Sequence, residues 1–369
     1  MASYNPQQQV FSLSWLSNSA GDSANKGGNL WTKTDLQNAI TAIQSNIGAW
    51  QVVWGPCYFM DPKNPKIAAN AIFVAQYTGS ANAGTPNYVI AVAGTNPSSN
   101  YDWMTEDMTI VPLAWPYLAN TTIQVTTGDN QGLTNVLAMS DGSPAKTLQQ
   151  YLYSIANKGS VQLAFTGHSL GGALSPILML ALMDPSSTLN SKGTNVSAPN
   201  WQGVSLLATA GPTPGDNNFV TYFNQVAGQQ KNWSNAFIWN GNDVVPHAWA
   251  NSTMKQLNTL FGLNLSDPTC KCIASMIQKA QNNAAQYSYT QFNSTAAWSE
   301  PLQKYFPDGI GWTAGAKFLA QTDYQHINAY VNHFQCTWFS PSNLCNDLVK
   351  ANAAILYLNN QCNANNGCS

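Results

Sequence analysis

Short apolar runs alternate with stretches of helical periodicity between residues 35 and 240. The apolar runs predict buried strands at 50–54, 70–77, 87–93, 161–165, 204–210 and 236–239. Apolar stripes at helical spacing, or a continuous apolar stretch, predict helices at 35–47, 145–157 and 170–183. This alternation predicts an α/β fold with a mostly parallel sheet that is covered by helices on both faces.

The remaining segments have weaker patterns, and we predict that residues 1–369 form a single domain without internal repeats. Residues 1–33 show no clear period and are predicted to be an extended N-terminal arm. Residues 251–320 are predicted to be a helical and aromatic insertion, and 340–369 a cysteine-containing tail.

Residues 96–118 are apolar and aromatic but are interrupted by three prolines. One interpretation is a packed loop. The other is a mobile lid over a site. In the lid interpretation, five side chains of this segment face substrate: Trp103, Met104, Met108, Leu113 and Trp115.

Charged residues make up only 8% of the chain, and apolar residues make up 44%. The formal net charge is −2 and the lysines are dispersed, so no basic stripe favours nucleic-acid binding. No apolar run approaches the roughly 20 residues that span a bilayer, so we predict no transmembrane segment. The low charge suits an enzyme for uncharged or interfacial substrates.

Four of the seven cysteines lie in the last 34 residues, which predicts disulfides in the tail and an extracellular protein. The first 16 residues have neither a basic region nor a sustained apolar region and are not predicted to be a signal peptide, so a cytoplasmic location is the alternative. Cys270-Lys271-Cys272 lacks the spacing of a zinc site. We expect no metal and no cofactor.

The sequence TGHSLGGAL at 166–174 follows the strand at 161–165 and opens the helix at 170–183. A G-x-S-x-G sequence in this context is typical of a nucleophile elbow, a sharp strand-to-helix turn that exposes a serine. Ser169 is therefore the predicted nucleophile. Leu170, the next residue, is predicted to donate its backbone N–H to an oxyanion.

Four histidines are candidates for the base that such a serine requires. His168 is a neighbour of the nucleophile, and His247 lies in a loop, so both are expected to be structural. His326 is preferred because we predict that it lies where a loop enters a helix. His333, two helical turns later, is the weaker candidate.

Asp243 is the preferred orienting acid because it directly follows a predicted strand and precedes His326, in the order serine, acid, histidine. Asp216, after another strand, is the second choice. Thr95, in the turn after the strand at 87–93, is predicted to be the second oxyanion donor, with an ordinary turn threonine as the alternative.

These motifs resemble the fungal-type class 3 lipases of the α/β-hydrolase superfamily. The resemblance covers roughly residues 85–335, through AVAGT, DWMTED, TGHSLGGAL, ATAGPTPGDNNF, NGNDVVPH and QHINAY in the family's order. It implies an α/β-hydrolase fold, Ser169, Asp243 and His326 as the catalytic triad, Thr95 and Leu170 as oxyanion donors, and a lid after Asn96. The arginine that the family usually has before the oxyanion turn, and the one in its Gly-x-Pro-Arg motif, are both absent here.

The predicted function is therefore hydrolysis of carboxylic esters through an acyl-enzyme. An acylglycerol, met at an oil–water interface, is the leading substrate. The alternatives are a non-lipid carboxylesterase of feruloyl-esterase type, a phospholipase, or a catalytically silent binding module on the same fold.

Overall fold

The structure is a computed structural model of the 369-residue chain. It separates into two compact units, Met1–Ile238 and Trp239–Ser369, which are described in turn. The residues described are 2–21, 29–80, 84–96, 109–156, 161–192, 194–197, 201–230, 232–262, 266–267, 270–293, 295–302 and 314–338. The predicted tail, 340–369, lies outside them. The single-domain organisation stays a prediction.

The first unit is built on a six-stranded sheet, and its strands are named below in their order across the sheet. Its strands are β1 Trp50–Asp61, β2 Asn64–Tyr77, β3 Tyr88–Val92, β8 Val161–His168, β9 Trp201–Thr209 and β10 Trp233–Ile238. β3, β8, β9 and β10 run parallel to one another, whereas β2 pairs antiparallel with both β1 and β3. Two small hairpins add β4 Pro112–Ala114 with β5 Gln124–Thr126, and β6 Ser140–Asp141 with β7 Lys146–Thr147.

Among the described residues of the first unit, the α-helices beside this sheet are α1 Pro6–Gly21, α2 Lys33–Ala42, α3 Gln44–Ile47, α4 Thr127–Ala138, α5 Leu148–Ala156, α6 Leu170–Met183 and α7 Asn217–Gln229. α6, directly after β8, is buried along its whole length. A helix that is apolar on every side is stable only inside the protein, so α6 forms the centre of the core. The predicted α/β fold is confirmed, with a mixed sheet.

The prediction of an extended N-terminal arm is wrong for residues 6–21, which form α1. This helix packs against β2, β3 and β8, and most of its residues are buried, including Gln9, Ser12, Ser14 and Ser17. A helix buried on several faces has no single apolar stripe. In α1, serines occupy buried positions, so apolar residues alone do not mark its buried faces. Only the contacts made by the sheet reveal that these polar positions are internal.

Two local predictions also need correction. The helix predicted at 35–47 is divided into α2 and α3, and its cap is Thr32, which forms a capping box with Asp35. The strands predicted at 50–54 and 70–77 are parts of the longer β1 and β2, which form one antiparallel hairpin. The sequence around Tyr58 and Lys63, near the turn of this hairpin, does not alternate between apolar and polar residues. The strand prediction therefore stopped short of it.

The second unit is mainly helical over its described residues. Its helices are α8 Asn251–Met254, α9 Lys271–Ala284, α10 Ala314–His326 and α11 Asn328–His333, and the 3-10 turns are Val245–His247 and Lys255–Asn258. Within the predicted insertion at 251–320, the described residues include α8, α9 and the start of α10, while the described residues of 285–302 are not helical; the insertion itself stays a prediction. Among the described residues of either unit, no helix is both long and apolar enough to span a membrane.

Candidate active site

Ser169 lies at the sharp turn between β8 and α6, with φ of 60° and ψ of −129°. A positive φ is uncommon for a residue with a Cβ atom and persists only where the surrounding structure enforces it. The backbone N–H of Ser169 donates to the Thr209 carbonyl at 3.1 Å, and the Ser169 carbonyl accepts from Gly172 at 2.7 Å. These bonds hold the serine at the start of α6, where it is half-buried.

Glycines on both sides make this turn sterically possible. A Cβ atom on Gly167 would overlap the backbone of Gly171, and one on Gly171 would overlap the Val92 carbonyl oxygen. The strand, the turn and the helix therefore approach each other more closely than any side chain allows. The sharp strand-to-helix turn predicted from TGHSLGGAL is present in the first unit, and the role of Ser169 as nucleophile stays a prediction.

His168 points away from solvent and is only 2% exposed. Its Nδ1 lies 3.0 Å from the Thr209 hydroxyl, which itself donates to the Gly167 carbonyl at 3.2 Å. Because that hydroxyl has one proton to donate, it accepts from Nδ1–H. The Trp15 ring of α1 lies 5.2 Å from the imidazole. His168 thus has the structural environment that was expected for it.

The two predicted oxyanion donors belong to segments of the first unit that contact or follow Ser169. Leu170 is the first residue of α6, so its backbone N–H has no acceptor within the helix. Thr95 follows Gly94, and a Cβ atom on Gly94 would lie 3.0 Å from Cβ of Ser169 and 2.6 Å from the His168 carbonyl oxygen. The turn that carries Thr95 is therefore in direct contact with the elbow.

The second unit holds Asp243 and His326 together. Nδ1 of His326 lies 3.0 Å from Oδ1 and 2.9 Å from Oδ2 of Asp243. The aspartate side chain is fully buried, whereas the histidine side chain is 15% exposed. Because a carboxylate only accepts, Nδ1 carries the proton, and Nε2 is the basic nitrogen of the neutral ring. The structure thus pairs the predicted acid with the predicted base.

The sequence predicted that His326 lies where a loop enters a helix, and this prediction is wrong. His326 is the last residue of α10, and Ile327 separates it from α11. A break between two helices leaves this side chain less covered than one inside a continuous helix. The polar sequence around it, with no glycine or proline, carries little signal for the end of α10.

Further donors satisfy the Asp243 carboxylate. The Tyr330 hydroxyl donates to Oδ2 at 2.8 Å, and the Val245 backbone N–H donates to Oδ1 at 3.0 Å. The Tyr330 hydroxyl also accepts from the Asn240 backbone N–H at 3.0 Å. Complete burial, with the Asp243 charge as the second cause, raises the pKa of Tyr330 well above its usual value, so this phenol remains a donor.

Asn240 links this network to the turn before Asp243 and to α10. Its side-chain NH₂ donates to the Gln325 carbonyl at 3.0 Å and to Oε1 of Gln325 at 2.7 Å. Its Oδ1 accepts from the backbone of Asn242 at 3.1 Å and of Glu300 at 2.9 Å. Sequence reasoning missed Tyr330, Asn240 and Gln325. These residues lie inside the NGNDVVPH and QHINAY motifs, which is the sequence feature that could have identified them.

The alternative site residues have other partners. Asp216 caps α7 by accepting from the Phe219 N–H at 2.8 Å, so its carboxylate stabilises the start of that helix. Nδ1 of His247 lies 2.6 Å from the Asp243 carbonyl oxygen, within the loop. His333 stacks on Trp298 with ring centroids 3.9 Å apart, and its burial lowers its pKa.

Of the predicted lid residues, Trp103, Met104 and Met108 lie outside the described residues. Leu113, on β4, is 38% exposed. Trp115 is only 1% exposed and packs its ring against Tyr117 and Phe219, with centroids 4.9 and 5.4 Å away. Trp115 therefore has the packed-loop environment that was the alternative to a lid.

A mixed sheet flanked by helices, with a sharp turn at Ser169 between a central strand and a helix, is typical of the α/β-hydrolase fold. The fold resembles that of M37 lipase, at 24% identity and a TM-score of 0.72, with 96% of this chain and all of that chain covered. Weaker likenesses include the lipase of Rhizopus microsporus var. chinensis (20% identity, TM-score 0.39, 65% of this chain and 69% of that chain). The Lip2 lipase of Yarrowia lipolytica is similar at 16% identity, with a TM-score of 0.42 over 66% of this chain and 72% of that chain.

Residues 89–253 match the family model of the class 3 lipases. No curated protein matches the chain at a significant level. The matched segment contains the Gly94–Thr95 turn, the turn at Ser169 and Asp243, so this part of the chain is similar to the class 3 lipases.

Proposed function

We propose that the chain hydrolyses lipid esters, acylglycerols in particular, with Ser169 as nucleophile, His326 as base and Asp243 as orienting acid. The observation that carries the proposal is the elbow. Ser169 has a positive φ at the start of α6, and the Gly94–Thr95 turn touches it. A half-buried serine at the start of a helix, with the turn that carries Thr95 against it, suits acyl transfer.

The proposed reaction has two halves. Oγ of Ser169 attacks the ester carbonyl carbon while its proton passes to Nε2 of His326, and the N–H groups of Thr95 and Leu170 stabilise the oxyanion. Nε2–H then protonates the leaving alcohol, which departs and leaves an acyl-enzyme. Water, deprotonated by the same nitrogen, releases the fatty acid. Asp243 holds Nδ1–H throughout and stabilises the imidazolium.

An exposed apolar edge supports a lipid substrate. Val111 and Leu113, two residues apart beside and on β4, are 54% and 38% exposed. Together with a charged fraction of only 8%, this surface favours contact with an uncharged, water-insoluble ester.

The test of the nucleophile compares Ser169→Ala with Ser175→Ala. Ser175 lies in α6, and its buried hydroxyl has no hydrogen-bond partner among the described residues, so its removal is expected to be harmless. We expect Ser169→Ala to lower kcat on p-nitrophenyl butyrate by roughly 10⁴-fold or more. Full activity of Ser169→Ala would contradict the proposed triad.

The test of the substrate class uses p-nitrophenyl esters of rising chain length, triolein, a phospholipid and methyl ferulate. A lipase gains rate when the ester passes its solubility limit and cleaves triolein. Preference for methyl ferulate, or hydrolysis restricted to dissolved short-chain esters, would assign a non-lipid esterase instead.

A further inference from the structure

We propose that Asn18, on the N-terminal helix α1, is a positioning residue that holds the Gly94–Thr95 turn in the geometry needed to bind the oxyanion. The proposal rests on the proposed function, in which Thr95 is an oxyanion donor. Neither the sequence motifs nor the family match, which begins at residue 89, includes α1.

The main contact is a short hydrogen bond across 76 positions of sequence. The Gly94 backbone N–H donates to Oδ1 of Asn18 at 2.6 Å. On its other side, Gly94 lies against the elbow, where an added Cβ atom would come within 3.0 Å of Cβ of Ser169. The turn is therefore held between the Asn18 amide and the nucleophile.

A second contact ties the same turn to the end of α1. The Asn96 side chain donates to the Gly21 carbonyl at 3.0 Å and to the Ala68 carbonyl at 2.8 Å. Thr95 thus lies between two anchored residues, and both anchors reach the last turn of α1. The Thr95 N–H lies in the Gly94–Thr95 peptide, between the peptide that Asn18 holds and the anchored Asn96, so the two anchors restrict the backbone dihedral angles that set its direction.

The same helix also supports the elbow. Phe11, Trp15 and Asn18 are spaced by four and three residues and therefore share one face of α1. The Phe11 and Trp15 rings lie 6.4 and 5.2 Å from the His168 ring. One helical face therefore contacts both the residue before the nucleophile and the turn that carries the oxyanion donor.

The rest of α1 is held by burial rather than by Asn18. Phe11, Leu13 and Leu16 are at most 3% exposed, whereas Asn18 is only partly buried. Removing the Asn18 amide should therefore leave α1 in place and loosen the turn. In kinetic terms, a loosened oxyanion donor weakens binding of the transition state more than binding of the ester.

The experiment compares three variants of the full chain. Asn18→Leu keeps the volume but has no acceptor, and Asn18→Asp retains an acceptor oxygen at the same place. Ser17→Ala is the matched control, because the Ser17 hydroxyl bonds to the Ser14 carbonyl inside α1. The readouts are kcat and KM on p-nitrophenyl butyrate, the rate of phosphorylation by diethyl p-nitrophenyl phosphate, and the unfolding temperature.

We expect Asn18→Leu to lower kcat and the phosphorylation rate by about 10-fold, a fraction of the effect of deleting an oxyanion donor, with KM changed by less than about 2-fold. Asn18→Asp should recover most of the lost kcat, and Ser17→Ala should behave as the wild type. If Asn18→Leu does not fold, Asn18→Ala takes its place under the same criteria.

A wild-type kcat in the leucine variant would overturn the role of Asn18. So would a loss of kcat that the aspartate variant does not recover, or one that Ser17→Ala shares. Ser169→Ala separates this failure from failure of the proposed function. If Ser169→Ala is inactive while Asn18→Leu is normal, only the role of Asn18 fails. If Ser169→Ala is active, the triad fails and the role of Asn18 falls with it.

Discussion

The turn that carries Ser169 and the Asp243–His326 pair hold their side chains by different means. Ser169 is held by close backbone contacts, in which Gly167 and Gly171 leave no space for a side chain. Asp243 and His326 are held by side-chain hydrogen bonds, in which Tyr330 is the key donor. The elbow is therefore sensitive to added volume, whereas the pair is sensitive to a lost donor or acceptor.

The largest effect should come from the polar pair. Asp243→Asn keeps the shape but supplies an amide that no longer accepts at both oxygens, so Nδ1 loses the partner that fixes its proton. If Asp243 orients His326 as proposed, kcat on p-nitrophenyl butyrate should fall by up to about 10⁴-fold, the size of the effect in serine triads, with a small change in KM. An Asp216→Asn control, at the cap of α7, should keep kcat within about 3-fold while lowering stability slightly.

A large effect on stability should come from the elbow. Gly167→Ala places a methyl group against the Gly171 backbone, and neither strand nor helix can retreat, so we expect a loss of about 3–5 kcal/mol in the free energy of unfolding. Gly228→Ala is the matched control. Gly228 lies on α7, and a Cβ atom added to it would meet no atom outside the adjoining backbone within 4 Å. Urea unfolding measures both variants. Equal stabilities would show that the elbow has more space than its geometry indicates.

A smaller effect should come from Tyr330→Phe. This change removes the donor to Asp243 and leaves the Asn240 N–H without its phenol acceptor, which should cost about 1–3 kcal/mol of stability and up to about 10-fold in kcat. Tyr153→Phe is the control, since this tyrosine is 42% exposed. Unchanged kcat in Tyr330→Phe would show that Asp243 is held well enough by its other partners.

The two regions also differ in how far the sequence predicted them. TGHSLGGAL predicts the elbow almost completely, because nine consecutive residues contain the strand end, the serine and the glycines. The pairing of Asp243 with His326 was predicted only from chain order and position. The support from Tyr330, Asn240 and Gln325 was not predicted, because those hydrogen bonds join residues up to 90 positions apart.

α1 is the clearest failure of sequence reasoning. Pattern analysis detects a helix by one apolar face, and a helix with buried serines on several faces has none. The hydrogen bond between Asn18 and Gly94 follows from that packing, and neither the sequence around Asn18 nor the sequence around Gly94 predicts it.

The sequence by itself determined the local chemistry: the strained serine between glycines, the strands that lead to Ser169 and Asp243, and the order of the candidate residues. The tertiary structure alone decided which polar groups support them. The steric requirements of a turn act between residues that are close in sequence, so they can be recognised from consecutive residues. Hydrogen bonds between buried polar groups depend on which elements pack together, which only the assembled sheet and helices define.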